Sequence, residues 1–400
     1  MADERKRMNA ALIRQLNVAR IFHTLRVHPY ATQRELATRA GLDKATVSTV
    51  IGGLERAGLV ARTLPEGERR VGRPEARHHI PKGAGCLIGA RLEPATIRLI
   101  ATDLTGRAIA HLQTAGSRDS GAALDRLVEG VHDLLAASGT PLDTVKGLGV
   151  GVPALMDAAG RLAFAPNLGW RDVALLPALQ ERFPIPVYAD NDTKAAGLAE
   201  KLFGSCQGVD DFVLIAGHSG VGAALHLDGR LYRAKSGFAG ELGHVKVRPG
   251  GRRCGCGASG CLEAYLSESA ILERLAERGS AFTGLGAVAA AAGRGDARVL
   301  ELLAETGAIL GGACADLVNL LSPERIVVGG NLAVVAPYLL DDLRRILQER
   351  SLNPPMERVQ VVISPLGVEA VPMGGVALAM EGFLGLPSWL AATEIGAALP

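Results

Sequence analysis

Apolar residues recur at helical spacing over residues 9–27, where Leu12, Leu16, Ala19, Ile21, Phe22 and Leu25 form one stripe, so the chain is expected to open on an amphipathic helix. Thr32-Gln33-Arg34-Glu35 has the form of a capping box and predicts a short helix through Ala40, stopped by Gly41. Asp43 then caps a second helix over 44–57, which Gly58 ends. Residues 59–62 and 76–80 read as short strands around a loop, 65–74, rich in Arg, Glu and Gly. After Pro81-Lys82-Gly83 the apolar period changes to two. Residues 86–92, 96–103 and 108–114 are predicted as successive antiparallel strands, with a turn at Thr105-Gly106. A helix over 122–138, a strand over 146–152, a further helix, a strand over 187–189 and a helix from about Asp192 follow. Strands return at 212–216 and 221–227, and the mostly helical last third contains two more, at 326–328 and 359–363. A meander followed by βα units, twice over, predicts two related α/β lobes with a cleft between them.

Composition supports that division. Four hundred residues exceed one ordinary core and require two or three domains. No apolar run reaches about 18 residues, so no membrane span is expected. The N-terminus is charged and then amphipathic, unlike a secretory signal, and the protein is expected to be cytoplasmic. Charge is divided unevenly. Residues 1–82 carry 16 Lys and Arg against 8 Asp and Glu, a net of +8, which leaves −6 on residues 83–400. A basic head on an acidic body suggests that the head alone meets a polyanion, although a solvated basic face has the same charge.

The pattern of the head favours the polyanion over a small helical interaction domain. Two short helices joined by a Gly-containing turn match a helix-turn-helix, and the second would enter the major groove of double-stranded DNA. Lys44, Thr46, Ser48 and Thr49 lie near its N-terminal end, where base edges and phosphates are reached, while Val47, Ile51 and Leu54 face the core. Arg69, Arg70 and Arg73 in the wing loop suit a minor-groove or phosphate contact.

The second chemical cluster is metal-like. Cys254-x-Cys256-x4-Cys261, with His244 ten residues upstream, supplies three thiolates and an imidazole within the loop 241–263. A Cys3His set suits a closed, tetrahedral structural zinc; thiolates exclude magnesium and calcium, whereas other soft metals stay open. The spacing is not that of a DNA-binding zinc finger. A metal gathering this loop would bring Glu241 and Glu263 close to the imidazole. Carboxylates accept strongly from hydroxyls, and a metal-bound His keeps its second ring nitrogen, so the loop is a candidate polyol site.

These motifs resemble the ROK family (repressors, open reading frames and sugar kinases) in its longer repressor form, over nearly the whole chain. In the head the likeness rests on Glu35-Leu36-Ala37, Gly41-Leu42, Ala45-Thr46-Val47-Ser48 and Gly72-Arg73-Pro74. In the body it rests on Pro166-Asn167-Leu168-Gly169-Trp170, Asn191-Asp192, Gly240-Glu241-Leu242-Gly243-His244, the Cys254 to Glu263 block and Pro323 to Gly330. The resemblance implies an all-α winged helix-turn-helix head over 1–82. It also implies a two-lobed α/β body over 83–400, of the actin-like, ribonuclease-H-like fold that sugar kinases share. It places hexose contacts at Asn167, Asn191, Asp192, Glu241, His244 and Glu263, and zinc at His244, Cys254, Cys256 and Cys261.

Family kinases use the Asp matching Asp192 as general base and cradle phosphate in an Asp-x-Gly-Gly-Thr turn. Here that Asp is Arg91 and the glycine pair is Glu93-Pro94; proline lacks an amide donor and glutamate repels phosphate. The second phosphate turn is altered to His218-Ser219-Gly220-Val221-Gly222. The chain is therefore expected not to be an enzyme but a carbohydrate-responsive repressor. It would bind an inverted-repeat operator as a homodimer or homotetramer and be released by its sugar. Two alternatives stay open: a sugar kinase with an appended head, and a DNA-binding protein whose body only oligomerises.

Overall fold

The structure, a computed structural model, describes residues 10–64, 75–157, 159–218, 220–352 and 359–385. The head comprises α1 (Ala10–Val27), α2 (Gln33–Ala40) and α3 (Lys44–Arg56) with strands β1 (Ala31–Thr32), β2 (Ala61–Thr63) and β3 (Arg77–His79). The capping box forms as expected. The Thr32 hydroxyl accepts the Glu35 amide at 3.2 Å while the Glu35 carboxylate accepts the Thr32 amide at 2.8 Å. Gly41, at φ +61°, ends α2 in a left-handed cap that few side chains adopt. Asp43 starts α3 by accepting the Thr46 amide at 2.9 Å. Phe22, Leu25, Leu36, Val47, Ile51 and Leu54 close the seam between the three helices.

Two expectations for the head change. It is not all-α, because the extended residues before α2 pair with β3, giving a three-stranded sheet in the order β1-β3-β2. Leu16 leaves the predicted stripe at 38% exposure, since the buried positions of α1 begin at Ala19 and its first half runs past the three-helix core.

The body repeats one topology. In the first lobe β4 (Cys86–Leu92), β5 (Thr96–Asp103) and β6 (Ala108–Ala115) form the meander. Next come α4 (Ser120–Ser138), β7 (Val145–Val152), a small sheet of β8 (Leu155–Met156), β9 (Leu162–Ala165) and β10 (Trp170–Val173), then α5 (Leu175–Arg182) and β11 (Val187–Asn191). Helix α6 (Asp192–Leu202) leads to the second lobe, whose meander is β12 (Phe212–Gly217), β13 (Val221–Leu227) and β14 (Arg230–Tyr232). Its outer face carries α7 (Glu263–Leu266), α8 (Glu268–Glu277), α9 (Leu285–Gly293), α10 (Ala297–Leu321) and α11 (Leu340–Arg350), with strands β15 (Arg325–Gly330) and β16 (Gln360–Ile363) completing the sheet before α12 (Ala370–Phe383). The sheet orders β11-β7-β4-β5-β6 and β14-β13-β12-β15-β16 are the same arrangement: a three-stranded meander, then two strands parallel to its first member.

Between the two sheets lie α6 and α12. Alternate residues of β12 divide accordingly: Val213 and Ile215 pack outward against the second lobe's helices, Phe212, Leu214 and Ala216 inward. Residues 370–381 of α12 are buried throughout, and the approach is so close that a Cβ on Gly89 would lie 1.8 Å from the Pro372 carbonyl. This layer positions the site, because α6 begins in the cleft between the lobes.

Candidate functional site

All six residues expected to meet a sugar line one cleft of about 650 Å³, open solvent included. Asn167 sits in the turn between β9 and β10, where Arg118 donates to its main-chain carbonyl at 3.1 Å. Asn191 ends β11 and caps α6: its Oδ1 accepts the Lys194 amide at 3.1 Å and its Nδ2 donates to the Ala154 carbonyl at 3.1 Å. Asp192, the first residue of α6, is 5% exposed. Its Oδ1 accepts the Thr193 amide at 2.8 Å and its Oδ2 lies 3.8 Å from Arg91 Nη2. Burial pushes its carboxyl above the usual range, against the opposing pull of Arg91. Glu241 is shifted the same way, also by burial, with Lys194 and His244 opposing. Glu263 Oε2 accepts the Val221 amide at 3.0 Å, which ties α7 to the first residue of β13. The cleft thus presents fixed acceptors with few donors of their own, which suits a neutral ligand rich in hydroxyls.

Two features here escaped the sequence. Arg91 and Glu93, recognised only as separate departures from a phosphate turn, form an ion pair at 3.0 Å, with the guanidinium almost fully buried. His218 lines the same cleft at 3% exposure, with Asn331 and Arg91 as polar neighbours, and neither of its ring nitrogens meets hydrogen-bond geometry. Burial holds the imidazole well below its usual pKa, so it is neutral and offers one donor and one acceptor. A histidine inside a glycine turn was the available signal.

The four candidate metal ligands converge. Donor atoms of His244, Cys254, Cys256 and Cys261 all lie within 4.8 Å of one another. Thiolates about 2.3 Å from a tetrahedral ion sit ~3.8 Å apart. Cys256 Sγ and Cys261 Sγ are 3.7 Å apart, and Cys254 Sγ lies 3.8 Å from His244 Nδ1. The residues fit the ion. Isolated bridges from Lys246 to Cys261 and from Arg253 to Ser259 fix the loop's shape, and Lys246 Nζ stands 2.7 Å from Cys261 Sγ, where it offsets thiolate charge. With Nδ1 turned to the sulfurs, Nε2 is the nitrogen of His244 left for the cleft.

On α3, Lys44, Ser48 and Thr49 are exposed. Thr46 is half-buried and its hydroxyl donates to Asp43 at 2.7 Å, so capping already occupies it. Arg69, Arg70 and Arg73 fall in 65–74, outside the described residues.

A winged-helix head carried on a two-lobed body with a hydroxyl-accepting cleft defines the class: a DNA-binding module fused to a body of sugar-kinase architecture. Residues 89–381 match the model of the ROK family and residues 15–71 that of the MarR family, and the chain belongs to the ROK family. Similar relatives include the xylose repressor of Caldicellulosiruptor bescii, 28% identical over 95% of this chain and 99% of that protein. The DNA-binding transcriptional dual regulator NagC of Escherichia coli is 26% identical over 94% and 95%. Among solved structures, a ROK family transcriptional regulator described as a homologue of the E. coli MLC protein superposes with a TM-score of 0.80 at 27% identity, covering 96% of this chain and 99% of that one. A ROK family glucokinase from Streptomyces griseus, solved with glucose and AMPPNP, gives 0.67 at 28% identity over 74% of this chain and all of that one. The body therefore has the actin-like sugar-kinase fold. Among the described residues no helix is long and apolar enough to cross a membrane.

Proposed function

We propose that this protein is a sugar-responsive DNA-binding repressor, with residues 1–82 reading an operator and residues 83–400 sensing a carbohydrate. The observation that carries this reading is the joining, in one chain, of an exposed polar recognition helix to a cleft ringed by Asn167, Asn191, Asp192, Glu241, His244 and Glu263. Relatives matched over nearly their full length, one named as a repressor and one as a DNA-binding transcriptional dual regulator, support it. Zinc, held by His244, Cys254, Cys256 and Cys261, would supply structural rigidity to the loop that carries Glu241 and Glu263. One winged helix reads only a short half-site, so two chains on an inverted repeat would supply useful specificity.

The kinase alternative is favoured by one observation, the retained Asp192 at the head of α6. Against it stands the ion pair of buried Arg91 with half-buried Glu93, where family kinases are expected to cradle phosphate. Anisotropy titration of labelled DNA from upstream of its own gene, with and without D-xylose, D-glucose or N-acetyl-D-glucosamine, tests the repressor. Sugar-dependent DNA affinity without ATP turnover on these sugars is the expected result; rapid turnover with no effect on DNA would replace this reading with the kinase.

A further inference from the structure

Head and body meet at one end of α6. Arg26, in the last turn of α1, donates from Nη2 to the Leu202 carbonyl at 2.6 Å, and its guanidinium lies 4.9 Å from the Phe203 ring centroid. Leu202 is the last residue of α6 and Phe203 its cap. The final carbonyls of a helix lack an intrahelical donor and carry its negative end, so a cation from the head closes this terminus. Burial lowers the Arg26 pKa only to about 10, which leaves it charged near neutrality.

The other end of the same helix is in the cleft, where Asn191 caps it and Asp192 is its first residue. Every residue between Asp192 and Leu202 except Lys201 is buried. Gly197 lies so near the second lobe that a Cβ there would be 2.5 Å from the Ala224 Cβ. Glu200 is fully buried, accepting from the hydroxyls of Ser205 and Ser364. Eleven residues make a rod of about 16 Å. Packed this tightly, it moves as a unit and not by local bending.

We propose that α6 is the lever through which a sugar in the cleft acts on the DNA-binding head, with Arg26 as the head's grip on it. The inference rests on the sugar-responsive reading above. A hydroxyl seated on Asp192 favours one placement of α6 between the lobes. At the far end that choice moves the Leu202 carbonyl and the Phe203 ring against Arg26. Head arrangements with the Arg26 contact made and broken present α3 differently to DNA, so the sugar shifts the balance between two operator affinities. A position between two sites is not coupling in itself, so the test measures the coupling.

The full-length chain is titrated onto labelled DNA from upstream of its own gene, with and without saturating sugar. The probe is whichever of D-xylose, D-glucose or N-acetyl-D-glucosamine changes wild-type affinity most. Calorimetry gives the sugar Kd without DNA. Allosteric ratios are typically about 5–150-fold; in Arg26→Ala and Phe203→Leu the ratio should fall below about threefold while the sugar Kd stays within about twofold. Arg26→Lys should restore part of the ratio. Should Arg26→Ala lose operator binding because α1 unseats, Phe203→Leu decides, since it changes only the body. A wild-type ratio surviving in Phe203→Leu, or in an Arg26→Ala protein that still binds operator, overturns the lever. A wild-type protein whose DNA affinity no sugar alters overturns the sugar-responsive reading and the lever with it.

Discussion

Asp192 is oriented before any ligand arrives, by the Thr193 amide on one oxygen and the Arg91 guanidinium near the other. Asp192→Asn keeps this shape and removes the charge. Hydrogen bonds to charged groups contribute about 1.5–3 kcal/mol, so the variant should need roughly 10–100-fold more sugar to change operator binding while binding operator normally without it. His218→Ala, which removes a neutral donor and acceptor from the same cleft, should also weaken sugar binding measured by calorimetry; unchanged affinity in both variants would place the sensing site elsewhere. At the metal cluster, mass spectrometry of native protein should find about one zinc per chain, lost in Cys256→Ser, Cys261→Ser. Full occupancy in that variant would exclude the proposed ligand set. These ligands were legible because three cysteines and a histidine lie within one short loop. The Arg91–Glu93 pair and His218 were not, since their meaning depends on distant neighbours: Asp192, a hundred residues from Arg91, and Arg91 and Asn331, each more than a hundred residues from His218.

At the scale of elements, local rules were read correctly where the chain acts on its near neighbours. The Thr32–Glu35 capping box, the Gly41 stop and the Asp43 cap each involve residues no more than a few positions apart. Helix α12 shows the opposite case. Its sequence, AVPMGGVALAMEGF, is apolar on every side and offers no stripe to orient, because both its faces are covered by the body. It also buries Glu381, whose Oε2 has no hydrogen-bond partner and whose pKa rises from 4.5 to about 8 through burial, with Arg233 opposing. A carboxyl with its folded pKa raised favours the protonated fold. Its contribution is fully present below about pH 4.5 and is lost as pH rises through 8. Glu381→Gln should therefore melt increasingly above wild type as pH is raised from 6 to about 9, by an amount on the order of a few kcal/mol at the upper end. Parallel melting curves at all pH values would contradict this.

At the scale of the molecule, the twofold use of one sheet topology was legible from the repeated meander and βα pattern, whereas the helices lying between the two sheets were not, since long-range packing leaves no period in the chain. The exposed face of α3 carries its own whole-molecule prediction. Lys44→Ala should weaken binding to all DNA sequences alike and reduce the slope of log affinity against log salt by about 1, the signature of one lost phosphate contact. A change confined to one operator sequence would instead make Lys44 a base reader. The Arg91–Glu93 pair has a consequence for how these two positions tolerate change. Replacing Arg91 alone with Asp would set three carboxylates together beside the cleft, and replacing Glu93 alone with Gly would leave a buried guanidinium with Asp192, at 3.8 Å, as its remaining carboxylate. Either replacement alone leaves buried charge uncompensated. The two side chains are a coupled pair, and replacing both is expected to cost less than the sum of the two single replacements.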